Sequence, residues 1–255
     1  MHYNAPRRVA IIGGRRIPFC RANTSYTHQS NQDMMTAALQ ALVDAYRLGG
    51  ERLGDVALGA VMKHSRDWNL ARECVLGTTQ APETPAYDLQ RACGTSLEAA
   101  IQLGNKIALG QIDAGIAGGT DTISDVPIVY PDEYREILLA SARGKSFGDR
   151  AKPWLGLRPS MFKPVAPGVT EPRTKLSMGQ STEITAKQWN ITRADQDQLA
   201  MESHHKAAKA WAEGFYQDLV APFSGAATDN NVRADTSLEK LAKLKPVFDR
   251  GPQGT

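Results

Sequence analysis

Apolar residues along the first half of the chain come in two alternating patterns. Arg8 to Gly13 (RVAIIG) is a short apolar run closed by glycine, and Val56 to Met62 (VALGAVM) is a second; runs of this length bounded by turn residues predict buried strands. Between them, Asp33 to Leu48 repeats at helical spacing, with Met34, Ala38, Ala41, Leu42, Ala45 and Leu48 expected on the core face. Ser30, Asn31 and Asp33 are candidate N-caps for that helix, and Gly49-Gly50 ends it. A short strand is predicted over Tyr87 to Gln90. A helix follows from Gly94 to Leu109, with Leu97, Ile101, Leu103, Ile107 and Ala108 available to the core, and then a third buried strand, Ala114 to Gly118. This β-α-β rhythm implies an α/β fold, a layered sheet with helices on both faces.

The pattern changes after Asp121. Seven prolines from Pro127 to Pro172 punctuate a stretch of short periodic segments, which reads as an irregular, mainly helical excursion from the sheet. Tyr134–Ala142, Ser181–Trp189 and Arg193–Gly214 are its predicted helices. Thr192 is positioned to cap the last, with Asp195 at the reciprocal position of a capping box. The expected organisation is a core over residues 1–123, an excursion over 124–250, and a turn-like string over 251–255.

Composition narrows the class without naming it. The chain has 255 residues, 42% of them hydrophobic and 22% charged, so it is a folded protein and not a disordered one. No apolar run approaches the ~20 residues of a membrane-spanning helix. The opening MHYNAPRRVAIIGG enters an apolar run at once, without the layout of a secretory leader, so a cytoplasmic protein is expected. The net charge of +3 is spread along the chain, which argues against a nucleic-acid partner. Three cysteines, Cys20, Cys74 and Cys93, lack both disulfide parity and metal-ligand spacing.

Of the three, Cys93 has a position with chemical consequences. It falls between the strand ending at Gln90 and the helix starting near Gly94. A helix N-terminus presents unpaired N–H groups and positive partial charge, which favour thiolate over thiol. Gly94 lets a substrate approach the backbone, and Thr95 and Ser96 add little bulk. A nucleophile on a strand-turn-helix junction suits covalent acyl transfer. Inert packing is the competing reading for any lone cysteine, and it is preferred for Cys74, inside LARECVLG, and for Cys20, in a loop.

A series of motifs extends this picture. LQRACGTSLEAA (Leu89–Ala100) resembles the active-site cysteine motif of the thiolases, the enzymes that make or cleave 3-ketoacyl-CoA. RRVAIIGGRRIPFCR resembles the family's opening strand and its arginine-proline-phenylalanine turn. NLARECVLG (Asn69–Gly77) resembles its asparagine/arginine helix, and IAGGTDTIS (Ile116–Ser124) its glycine pair after the next strand. LSMGQSTE (Leu176–Glu183) resembles the methionine-glycine segment of the CoA-contacting loop domain, and RADTSLEKLAKLKPVF (Arg233–Phe248) the stretch leading back from that domain, all in family order. Gln90, where the family usually has asparagine, and Gly94-Thr95-Ser96 depart from the common pattern and suggest the branch of long-chain or trifunctional-type thiolases.

The resemblance implies that Cys93 attacks the ketone of a 3-ketoacyl-CoA, holds the acyl group as a thioester and passes it to CoA. It implies CoA and acyl-CoA as substrates with no resident cofactor and no metal. It places Met178 and Gly179 near the pantetheine arm and Arg233 near the adenine and its phosphate. Lys240 stands where relatives often have serine. A homo-oligomer is implied, paired through the strand before the nucleophile. The family's base, acid and most oxyanion donors belong to later segments that have no counterpart here. His64, His204 and His205 lie outside any matching context, the last two on an expected solvated helix face. This chain by itself is therefore expected to be an incomplete thiolase. A CoA-binding fragment that needs a separate C-terminal half is the alternative, and a ketoacyl synthase relative is a third reading.

Overall fold

A computed structural model describes residues 6–251 and 254–255. Its centre is a three-stranded parallel sheet of β1 (Asp55–Gly59), β2 (Ala86–Leu89) and β3 (Gly115–Ala117), in the order β2-β1-β3. The register pairs Val56 with Ala86 and with Ile116. Every residue of β1 is buried, as the central strand of a sheet covered on both faces must be.

Helix α1 (Asn31–Ala45) and helix α2 (Leu70–Leu76) cover one face. Met35, Leu39 and Val43 of α1 and Leu70, Ala71, Cys74 and Val75 of α2 pack against Val56, Leu58 and Ile116. Helix α3 (Thr95–Ala108) covers the other face, where Ala99 and Leu103 close on Ala57. The period-2 alternation of β1 thus feeds two separate cores. The α/β architecture expected from the sequence is present, with helices on both sides.

The remainder is helical and irregular. It comprises α4 (Asp132–Arg143), α5 (Phe147–Ala151), α6 (Met178–Gln188), α7 (Arg193–Ala212) and α8 (Leu238–Leu241), with short 3-10 turns and isolated bridges between them. Local signals set their starts. Ser30, Ser177 and Thr192 each cap a helix through a reciprocal capping box, the last with Asp195 as expected.

Four expectations need correction. Arg8–Gly13 pairs with no strand: Ile11 is 91% exposed and Ile12 80%, while Arg7 is tied to the end of α3 through Ala108 O, Ile107 O and Asp113. An apolar run becomes a strand only where a neighbouring strand supplies a ladder, and among the described residues none does so for this run. On α1 the buried stripe is Met34, Met35, Leu39 and Val43, rotated from the face expected. On α3, Leu97 and Ile101 lie exposed, and the small Ala99 does the packing because α3 runs close to β1. The second apolar run stops short of its predicted end, because the amides of Val61 and Met62 are taken by the Asp121 carboxylate rather than by a ladder. The turn-like string over 251–255 lies partly outside the described residues, at 252–253.

Candidate active site

Cys93 is exposed on the turn between β2 and α3, as the sequence placed it. The turn is tightly determined. Gly94 N–H donates to Arg91 O at 2.9 Å, and the Thr95 hydroxyl donates to Ala92 O at 2.7 Å while accepting from Arg91 N–H at 2.9 Å. Ala92, the residue before the cysteine, has φ +44°, a left-handed conformation that costs a non-glycine residue free energy. Such strain persists where surrounding bonds over-determine it, and here it presents Cys93 outward at the start of α3. On the flank, Arg91 pairs with Glu98 at 2.6 Å. Hydrogen bonds from Gln102 and then Arg91 hold the Glu98 carboxyl below its ordinary range.

Two glycines seat this turn on the sheet. A Cβ on Gly59 would lie 2.1 Å from Leu89 O and 2.5 Å from the Thr95 methyl. One on Gly119 would lie 2.3 Å from Ser96 Oγ. Both positions are glycine because the first turn of α3 is pressed against the ends of β1 and β3. The segment after β3 is fixed in turn by Thr120 N–H to Gly59 O at 3.0 Å and by the two amide bonds to Asp121.

Asp88, in the strand before Cys93, pairs with Lys63 and accepts from Leu70 N–H at 3.0 Å and Ala71 N–H at 2.7 Å. It thereby caps α2 and fixes β2 to it. Asn69 and Arg72 act alongside: Asn69 caps α2 at Arg72 N–H, and the Arg72 guanidinium holds Thr84 O and Pro82 O. Sequence reasoning missed Asp88, Ala92 and Gly59 as determinants of the site, and named Gly119 only as part of a glycine pair. The visible signals were that pair and a carboxylate inside an otherwise apolar strand.

The other anticipated residues lie in the helical region. Met178 is the first residue of α6 and 63% exposed. Gly179 lies under the Phe248 ring, 2.1 Å from where its Cβ would be, so its missing side chain is used for packing. Arg233 is exposed, and its N–H donates to His204 Nδ1 at 3.2 Å. Lys240 is occupied by Asp235 at 2.5 Å. Among the described residues no hydrogen bond or ion pair links these groups to the Cys93 turn. The two helix histidines are more than a solvated face: His205 Nε2 lies 2.9 Å from Thr236 O, so both clip α7 to the 233–236 loop. His64 is engaged with Asp125 at 3.2 Å. No group of three His, Cys, Asp or Glu residues suited to a metal occurs among the described residues.

The family model for the thiolase N-terminal domain matches residues 9–255. The chain belongs to the thiolase family. Its relatives include the 3-ketoacyl-CoA thiolase of Vibrio cholerae serotype O1, 40% identical over 249 residues, which are 95% of this chain and 57% of that protein. The 3-ketoacyl-CoA thiolase of Pseudoalteromonas translucida is 37% identical over the same shares. The fold is similar to that of the Bacillus anthracis acetyl-CoA acetyltransferase, with a TM-score of 0.79 and 24% identity over 97% of this chain and 60% of that one. The chain thus spans a little over half the length of the thiolases it matches, and corresponds to their N-terminal part.

Proposed function

We propose that Cys93 is the acyl-accepting nucleophile of a thiolase that cleaves or forms 3-ketoacyl-CoA, with CoA and acyl-CoA as substrates and no resident cofactor. The observation that carries this is an exposed cysteine on a strained, over-determined turn at a helix start, in a chain matched by the thiolase N-terminal family model over residues 9–255. The turn supplies a nucleophile held free of the core. A base for the thiol, an acid for the departing carbon and donors for the oxyanion complete the chemistry. His64, His204 and His205 are not assigned these roles, since each is held by another partner.

The chain alone is therefore proposed to form an acyl-enzyme slowly and to turn over negligibly, the rest of the site coming from the part of the fold that it does not span. Met178, Gly179 and Arg233 are proposed as CoA contacts. Arg233 suits the adenine and its phosphate because a guanidinium both stacks and pairs with an anion. The assembly proposed is a cytoplasmic homo-oligomer paired through the open edge of β2.

Incubation with acetyl-CoA followed by peptide mass spectrometry is expected to find an acetyl group on Cys93 and none after Cys93→Ala. A thiolysis assay of the same chain is expected to stay at background. Steady turnover that Cys93→Ala removes would show the site to be complete; acylation elsewhere with Cys93 unmodified would remove its assignment.

A further inference from the structure

A cavity of about 410 Å³, which Cys93 does not line, lies between the Arg15–Ala22 segment, α1 and the loop Gly119–Ser124. Its volume is within the range of small-molecule sites, roughly 300–1,000 Å³. One wall is apolar, from Ile17, Tyr26, Met34, Met35 and Ala38. Methionines adapt to ligand shape at low cost. The polar wall carries Arg15, Arg16, Arg21 and Asp121.

The charges on that wall do not cancel. Arg16 is spent on Asp229, with both nitrogens bonded at 2.7 and 2.9 Å, and is stacked on Phe19 and Tyr216. The Asp121 carboxylate is spent on the amides of Val61 and Met62, both at 2.9 Å. The side chains of Arg15 and Arg21 have no hydrogen-bond or ion-pair partner among the described residues; Arg21 is exposed to solvent, whereas Arg15 is half-buried. A partly desolvated guanidinium without a partner is costly, and it is the feature a bound anion satisfies.

We infer that this cavity binds a small amphipathic anion, a short aliphatic carboxylate whose chain lies against the methionine wall and whose head pairs with Arg15. The site is independent of the acyl-transfer reading. It shares one element with the Cys93 turn, since Gly119 at its rim packs on Ser96 Oγ and Thr120 N–H bonds Gly59 O. Cys20 also lines the cavity and reports on its occupancy.

Hexanoate is the probe, with hexanol as the uncharged control, on the full chain. Ligand-observed NMR is expected to detect hexanoate binding. Peptide-level mass spectrometry of maleimide labelling is expected to find Cys20 protected by hexanoate at concentrations where hexanol gives none. Arg15→Gln is expected to weaken hexanoate by about tenfold, the loss of one charge-assisted hydrogen bond. Arg15→Lys, which keeps the charge and loses the fork, is expected to lose less and carries the comparison if Arg15→Gln does not fold. No binding, binding without Cys20 protection, equal protection by hexanol, or unchanged affinity in the Arg15 variants overturns the assignment.

Discussion

At the scale of single residues, the three cysteines separate by environment. Burial pushes the Cys74 thiol up to about 11, and its side chain is wholly buried in the core between α1, α2 and the sheet. Cys93 is exposed. Brief iodoacetamide treatment near neutral pH is therefore expected to label Cys93 and leave Cys74 untouched until the chain unfolds; labelling of Cys74 at the same rate would contradict the packing described. Gly59 is the second residue-scale determinant. With a Cβ 2.1 Å from a backbone oxygen, Gly59→Ala has no flexible neighbour to displace. A loss of about 1–3 kcal/mol is expected in urea unfolding, as for other overpacked sites. Cys93 labelling should change in the same variant, because Gly59 also seats Thr95.

Among elements, α2 and β2 depend on one carboxylate. Asp88 serves the helix N-terminus and Lys63 together, with its side chain 15% exposed. Asp88→Ala leaves two amides and an ammonium without their partner, so a loss of about 2 kcal/mol or more is expected in chemical denaturation. An unchanged midpoint would show that Asn69 and Arg72 hold the pair of elements without it. The lesson about legibility also sits at this scale. The start of α7 was readable to the residue because its capping signal is local and acts within one turn, whereas α6, read without its Ser177 cap, begins three residues before its expected start. The Arg8–Gly13 run is strand-like in pattern and in its resemblance to the family's opening strand, but a strand needs neighbours that neither supplies.

Across the whole molecule, the N-terminal segment and the helical region are joined through Arg16 and Asp229. Arg16 exchanges backbone bonds with Leu219 and Ala221, and Asp229 also accepts from Phe19 N–H at 2.7 Å and from the Trp211 indole at 3.2 Å. Burial alone would raise the Asp229 carboxyl, but Arg16, the Phe19 amide and Trp211 outweigh it and hold the group below its ordinary range. A depressed carboxylate contributes stability that is present above its unfolded-state value and is lost as pH falls through the folded one. Thermal unfolding temperatures are thus expected to drop on acidification through the carboxylate range. Asp229→Asn should be less stable at neutral pH and show a shallower drop; a parallel pH profile in the variant would remove Asp229 as a source of the acid sensitivity.

The sequence by itself determined the α/β class, the starts of most helices, and the junction that carries Cys93, because each is written in local periodicity, caps and a run of motifs. Only the tertiary structure decided which apolar positions are buried. Leu97 and Ile101 face out while Ala99 faces in, since closeness of helix to sheet selects for size as well as polarity. Only the tertiary structure, too, brought Gly59 and Gly119 under the cysteine turn and left Arg15 beside a cavity without a partner among the described residues. Those relations join residues tens of positions apart, and their physical basis, close approach and the distribution of charge over the available partners, exists only after the chain has folded.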